Sequence, residues 1–495
     1  MKNLVQFRLL LAGFALICLA SACTKLATTE NDSEIGKAGG IFVAGDASKL
    51  LASAYTKLDV YTDQANIYSL GQHTSAEMIP PTRGVDWGDN GVWRTLDAHT
   101  WDATHSFVLN AWNQLNERSY NMNELLASNP TEAQAAEAKF IRALHMHNVL
   151  DYWGQVPTRD VNSKITDEPT VLAGAAAFDF IVKDLTEALP KLSSVGPNVA
   201  NGKANQAAAN YLLAKMYLNK HIYTGASKAD PADMAKVIAY CDAVTGSGAA
   251  AYSLEDKYFD NFTKNASKEV IFVTLSGSPQ NRWFMTLHYD QNPSGWNGFT
   301  TLADFYGKFD KNADQRFGTP AKKDGTKFSG IGKGFLVGTQ YDDNGKVVEN
   351  KRTKKDLVFT PDIILAGATT GMGIRTIKYH PADAANYILM RYGAVVLMKA
   401  EAQLRAGNAA AAATTVSTLR TKRGLAAVAT VSENEMFDEW GRETYWEGGA
   451  RTNEIRFGKF LTGTGASNNA PGTVLFPIPS AALASNSKLK QNTGY

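Results

Sequence analysis

Cysteine is scarce: the 495 residues hold three, Cys18, Cys23 and Cys241. A scaffold stapled by disulfides is therefore excluded. A surplus of one charge is also missing. Lys and Arg number 50 against 48 Asp and Glu, and the first 22 residues contribute Lys2 and Arg8 with no acid. Beyond residue 22 the chain balances at 48 against 48. A polyanion such as nucleic acid favours a basic surface, and none is encoded. Past residue 22 no apolar run is long enough to cross a bilayer. No phosphate-loop, serine-elbow or HExxH pattern occurs.

What is present begins with an export signal. A basic start runs into an apolar stretch, Leu9 to Ala20, and then Ala20-Ser21-Ala22-Cys23. Small residues before a cysteine resemble the lipobox of bacterial lipoproteins, which implies cleavage after residue 22 and a lipid on Cys23. Cys18 leaves with the signal and Cys241 stands alone, so an unlipidated Cys23 would be an unexplained free thiol. Residues 23–40 are polar and end in glycine, suited to a flexible tether.

The remainder reads as mainly α. Apolar periodicity predicts helices over 104–127, 131–154, 174–190, 206–223, 232–245, 386–406, 409–423 and 433–448. Two stretches pair helices across a turn with alanines where the helices cross, the pattern of tetratricopeptide-like repeats. One pair covers residues 395–419, with Val395, Met398 and Ala402 facing Ala412, Val416 and Leu419. The other joins ANYLLAKMYLN to PADMAKVIAYCDAVTGSG. Residues 63–103 and 250–385 are irregular, the second carrying short strand-like runs such as EVIFVTL and a hairpin turn at Asp343-Asn344-Gly345. Long irregular segments rich in aromatics point to function rather than disorder. At the far end, Phe476 and Ile478 beside Pro477 and Pro479 predict a strap laid on the finished body.

Glu439, Glu443 and Glu447 fall on one helical stripe with Arg442, Arg451 and Arg456 nearby. Glycosidases need two carboxylates in different environments flanking one bond, so a structural ion network is the better reading. His145 and His147 are two apart on a helix and point apart. Asp310, Asn312 and Asp314 begin like a calcium loop, but Gln315 and Ala321 replace the required Gly and Glu. Trp112, Trp153, Trp440 and Trp446 lie on helices and belong to the core. Trp87, Trp93, Trp101, Trp283 and Trp296 fall in the irregular regions. An aromatic plane stacks on the C–H face of a sugar ring while polar neighbours take its hydroxyls. Trp87, Trp93, Trp283 and Trp296, with Arg83, Asp86, Asn90, Gln291 and Asn297, are the candidate ligand contacts.

FIRALHMHNVLDYWGQVP, RYGAVVLMKAEAQLRAGN, TLRTKRGL, EWGRETYWEGGARTNEIRFGKF and LFPIPSAALASNSKLKQNTGY occur in this order. Together, behind a lipobox, they resemble the SusD/RagB family of nutrient-binding lipoproteins of Bacteroidetes. The resemblance implies a signal peptide (1–22), a tether (23–40), an N-terminal helical region with a ligand-face loop (41–250) and a C-terminal region with a loop-rich insert, last helix pair and strap (251–495). It implies an outer-membrane, surface-facing, non-enzymatic protein without cofactor. It further implies a glycan ligand and a SusC-like TonB-dependent barrel as partner. The rival readings are a glycoside hydrolase and a tetratricopeptide-type adaptor that binds only protein.

Overall fold

The computed structural model describes residues 45–161, 163, 167–246, 251–462 and 468–495. The signal segment, Cys23 and the tether lie outside the described residues. Eight helices build the body: α1 (Ser106–Leu126), α2 (Glu132–Trp153), α3 (Gly174–Ala188), α4 (Gln206–Tyr223), α5 (Pro231–Thr245), α6 (Tyr392–Arg405), α7 (Ala409–Lys422) and α8 (Glu433–Thr444). Local chemistry sets their ends. Thr131 and Gln134 form a reciprocal capping box at the start of α2, and Gly154 closes it at φ +71°. Asp230 caps α5, with Pro231 in its first turn.

Helices pack in sequence, α1 on α2, α2 on α3 and α4 on α5, and α6 joins α5 to α7. Ala208, Ala209 and Ala214 of α4 and Ala400, Ala402 and Ala412 of the α6–α7 pair are wholly buried. Small side chains there let the helix axes approach closely, which is how a helical-repeat body closes its core. One apolar cluster runs from Leu51 to Leu489, so the sequence division near residue 250 is not a break in packing.

The predicted helix at 386–406 starts later than expected. Tyr387–Arg391 is instead a strand, β2, antiparallel to β1 (Val270–Thr274). A short apolar run fits helix or strand equally by pattern, and pairing with the buried β1 decides it. The helix predicted to reach residue 448 ends at Thr444.

The irregular regions hold short strands and single turns of helix. Met78–Ile79 pairs with Thr300–Thr301, and Thr82 bridges to Ala366. These ladders fasten residues 78–87 to the 280–375 insert, and the site depends on that join. The hairpin turn forms where expected, with Gly345 at φ +82° between Asp342 and Lys346.

Phe476 and Ile478 are fully buried. The Phe476 ring lies 4.7 Å from Trp101. Asn492 donates to the carbonyls of Trp153 (2.9 Å) and Phe476 (2.7 Å), and the Tyr495 hydroxyl donates to Leu475 (2.8 Å). The strap is thus held by apolar burial and by hydrogen bonds along its length.

Candidate functional site

Arg83-Gly84-Val85-Asp86 makes a tight turn closed by two backbone hydrogen bonds between Arg83 and Asp86 (2.9 and 3.1 Å), and leaves Val85 92% exposed. Trp87 follows at φ +61°, a left-handed conformation that a bulky side chain rarely holds. Asn90 and Asn297 are left-handed too, at +52° and +53°. Such strain persists only where the surroundings fix it, and it gathers at functional sites.

The surroundings do fix it. The Trp87 indole N–H donates 2.8 Å to the carbonyl of Trp296. Its ring lies 5.2 Å from Trp93, 5.3 Å from Phe299 and 6.3 Å from Trp296. Gly298 presses against the Trp87 ring, and any Cβ there would overlap it. Trp296 stands 53% exposed, backed by Phe284 at 5.0 Å. Trp296 thus reaches solvent, with the partly buried Trp87 ring beside it and tilted 56° to it.

Polar groups lie near this aromatic face. Asp86 accepts from Arg352 at 2.5 Å, and the same guanidinium lies 4.4 Å over the ring of Tyr289. Asp89 and Asn90, three and four residues after Asp86, are exposed. The other candidates stand behind the face. Trp93 is buried, edge-on to Phe107 and donating to Asp89 (2.8 Å). Arg83 is buried and gives its Nη1 to the carbonyls of Thr369 and Met372. Asn297 is buried between the Thr370 carbonyl and Arg375, and Gln291 is buried against Gln340. Trp283 packs partly buried between the main core and a small cluster around Leu287 and Phe359. These five lie behind the face, Arg83, Asn297 and Gln291 bonded to loop carbonyls and amides and the two tryptophans packed among apolar side chains. Sequence reasoning missed Tyr289 and Arg352, which carry no spacing signal. It also missed His73, seated 4.2 Å from Phe299 beneath the tryptophans.

The three-glutamate stripe is an ion network. Glu439 is bound by Arg316 (2.6 Å), Arg420 (2.9 Å) and Arg442 (2.6 Å). Glu443 is bound by Arg391 (2.6 Å) and Arg423 (2.8 Å), and Glu447 by Lys378 (2.6 Å) and Arg391 (2.8 Å). The Arg316 charge is the main attraction holding the Glu439 carboxyl down at about 2 against its burial. Carboxylates committed this way hold no proton to give near neutral pH. Of the partners expected from sequence, Arg442 pairs as read, whereas Arg451 serves Asp151 and Arg456 serves Glu401.

His145 and His147 meet Tyr61 (3.0 Å) and Tyr223 (3.2 Å), each in the core. Asp310 caps the backbone of Asn312 and Ala313, and Asp314 grips Arg316. Among the described residues no group of three or more His, Cys, Asp or Glu could hold a metal, and no helix is long and apolar enough to cross a membrane.

Comparison with known proteins identifies the family and the fold. The starch-binding protein SusD of Bacteroides thetaiotaomicron is 28% identical over 421 residues, covering 74% of this chain and 73% of that protein. A SusD-like protein from Bacteroides fragilis superposes with a TM-score of 0.70 at 19% identity, covering 91% of this chain and 96% of that one. Surface glycan-binding protein A of Bacteroides thetaiotaomicron, solved with laminarihexaose, has a TM-score of 0.65 at 17% identity, over 90% and 98% of the chains. The model of the SusD family matches residues 211–495. The chain belongs to the SusD family.

Proposed function

We propose that this protein is a cell-surface lipoprotein, anchored at Cys23, that binds an oligosaccharide and passes it to a SusC-like TonB-dependent barrel. One observation carries the binding half: the exposed Trp296 and the partly exposed Trp87, 209 positions apart, are joined by a hydrogen bond at an aromatic patch near the Asp86–Arg352 pair. A sugar ring stacks on the exposed Trp296 plane and its hydroxyls meet the neighbouring polar groups. Relatives named for binding starch and laminarin support the same ligand class. A hydrolase reading gains nothing from the glutamate stripe, whose acids are all bound to cations.

Titration calorimetry of the full chain with starch and laminarin oligosaccharides tests the reading. Trp296→Ala should weaken the best ligand roughly tenfold, since stacking is worth about 1–1.5 kcal/mol. Unchanged affinity in both Trp87→Ala and Trp296→Ala would overturn it. Turnover abolished by a single acid substitution would favour the enzyme instead, and absence of affinity for every glycan the adaptor.

A further inference from the structure

A second hollow lies inside the helical body, between α2, α4, β2 and the turn after α8. Its volume is about 150 Å³, and all of its lining residues are buried or partly buried. A cavity of that size takes one six-membered ring, as dry engineered cavities take benzene. This one is not dry in character. Tyr61, Tyr68, Tyr152 and Tyr387 give it aromatic walls, and polar groups project between them.

Lys215 of α4 is the anomaly. Its side chain lines the hollow and forms neither a hydrogen bond nor an ion pair among the described residues. Its electrostatic neighbour Asp151 is already engaged, accepting from Tyr223 (3.1 Å) and Thr452 (2.6 Å) and lying 3.6 Å from Arg451. The other charges on the wall are matched: Glu447 to Lys378 and Arg391, Arg456 to Glu401. A partly buried ammonium whose one acidic neighbour is already shared with Arg451 is incompletely compensated, and burial presses its pKa down against the attraction of Asp151. Two further groups are free. Among the described residues the Tyr211 hydroxyl finds no hydrogen-bond partner, and Asn148 commits its amide nitrogen to Leu144 and Tyr61 but not its side-chain carbonyl oxygen.

We propose that this hollow binds a small carboxylate carrying one six-membered ring. The carboxylate sits on the Lys215 ammonium, the ring lies against the tyrosine walls, and Tyr211 and Asn148 serve its remaining polar atoms. The site is separate from the Trp87–Trp296 face and does not depend on it.

The test is calorimetric titration of the full chain with D-glucuronate, benzoate and D-glucose. At least one of the two acids should bind saturably, and at least tenfold more tightly than glucose. Which acid binds better tells a sugar acid from an aromatic one. Lys215→Met, which exchanges an unpaired ammonium for an apolar chain, should weaken that binding at least tenfold while the melting temperature holds or rises. Tyr211→Phe provides a second, milder variant expected to weaken it severalfold, and decides the matter if Lys215→Met does not fold. Trp87→Ala should leave acid binding unchanged. No saturable binding of either acid, equal binding of glucose, or full affinity in both hollow variants would overturn the proposal.

Discussion

The indole N–H of Trp87 donates to the main-chain carbonyl of Trp296 at 2.8 Å, so one ring's position is set by the other's backbone. Gly298 completes the fit by leaving room for the Trp87 ring. Gly298→Ala should therefore swing Trp87 out of place and lower glycan affinity by tenfold or more while the helices stay folded. Calorimetry alongside far-UV circular dichroism checks this; unaltered affinity would mean the ring's placement is immaterial to binding.

Anchoring can be tested without a ligand. Cys23→Ala should release the protein into the soluble fraction of cells lacking the barrel, because among the described residues no helix is long and apolar enough to cross a membrane. Recovery of the variant in the outer membrane of such cells would show a second anchor.

The strap should be a stability element. Phe476→Ala removes a fully buried ring and should cost about 3–5 kcal/mol. Urea unfolding monitored by fluorescence reads the loss directly, and an unchanged midpoint would show that the strap is not coupled to the body.

Glu443 lies fully buried between Arg391, Arg423 and Arg316 (2.6, 2.8 and 3.3 Å). Glu443→Gln keeps the shape but leaves cationic neighbours short of a charge, and should destabilise by roughly 3–5 kcal/mol. Glycan affinity of the molecules that remain folded should not change. A variant of wild-type stability would show that the network is dispensable.

Stability should also fall on the alkaline side. Burial pushes Glu77 up to about 7 and Glu454 up to about 8, the latter raised further by Glu77 itself. Folding therefore retains protons that the unfolded chain gives up. Their contribution is complete below the ordinary carboxylate range and is lost as pH rises through 7 and 8. On the acid side His73, His145 and His147, each held down to about 3 by burial, act the other way, losing stability as pH falls below 6.5. Glu454→Gln should flatten the fall in melting temperature between pH 6 and 9; an identical slope in the variant would remove this pair as the cause.

The helical body was largely legible because its signals are local. Thr131, Gln134 and Gly154 bound α2 within one stretch of chain, and alanines mark the crossings. Tyr387–Arg391 was not, since its strand identity comes from β1 more than a hundred residues earlier. The ion network shows the same limit. The stripe of glutamates was visible, but Arg316 reaches Glu439 across 123 positions. At the face, the residue types were readable and their depth was not: nothing local tells that Arg83 and Trp93 turn inward while Trp296 turns out. Lys215 reads as an ordinary helix lysine until its neighbours are known.

The strap has a consequence in time. Asn492 caps the carbonyl of Trp153, 339 positions earlier. At ~5–20 residues per second, synthesis separates these partners by roughly 17–70 s. Throughout that interval Tyr152 and Trp153 lack the cover that Phe476 later provides. A chain delivered N-terminus first thus cannot shut its helical body early, and its final closure waits on residues that arrive long after the helices they seal.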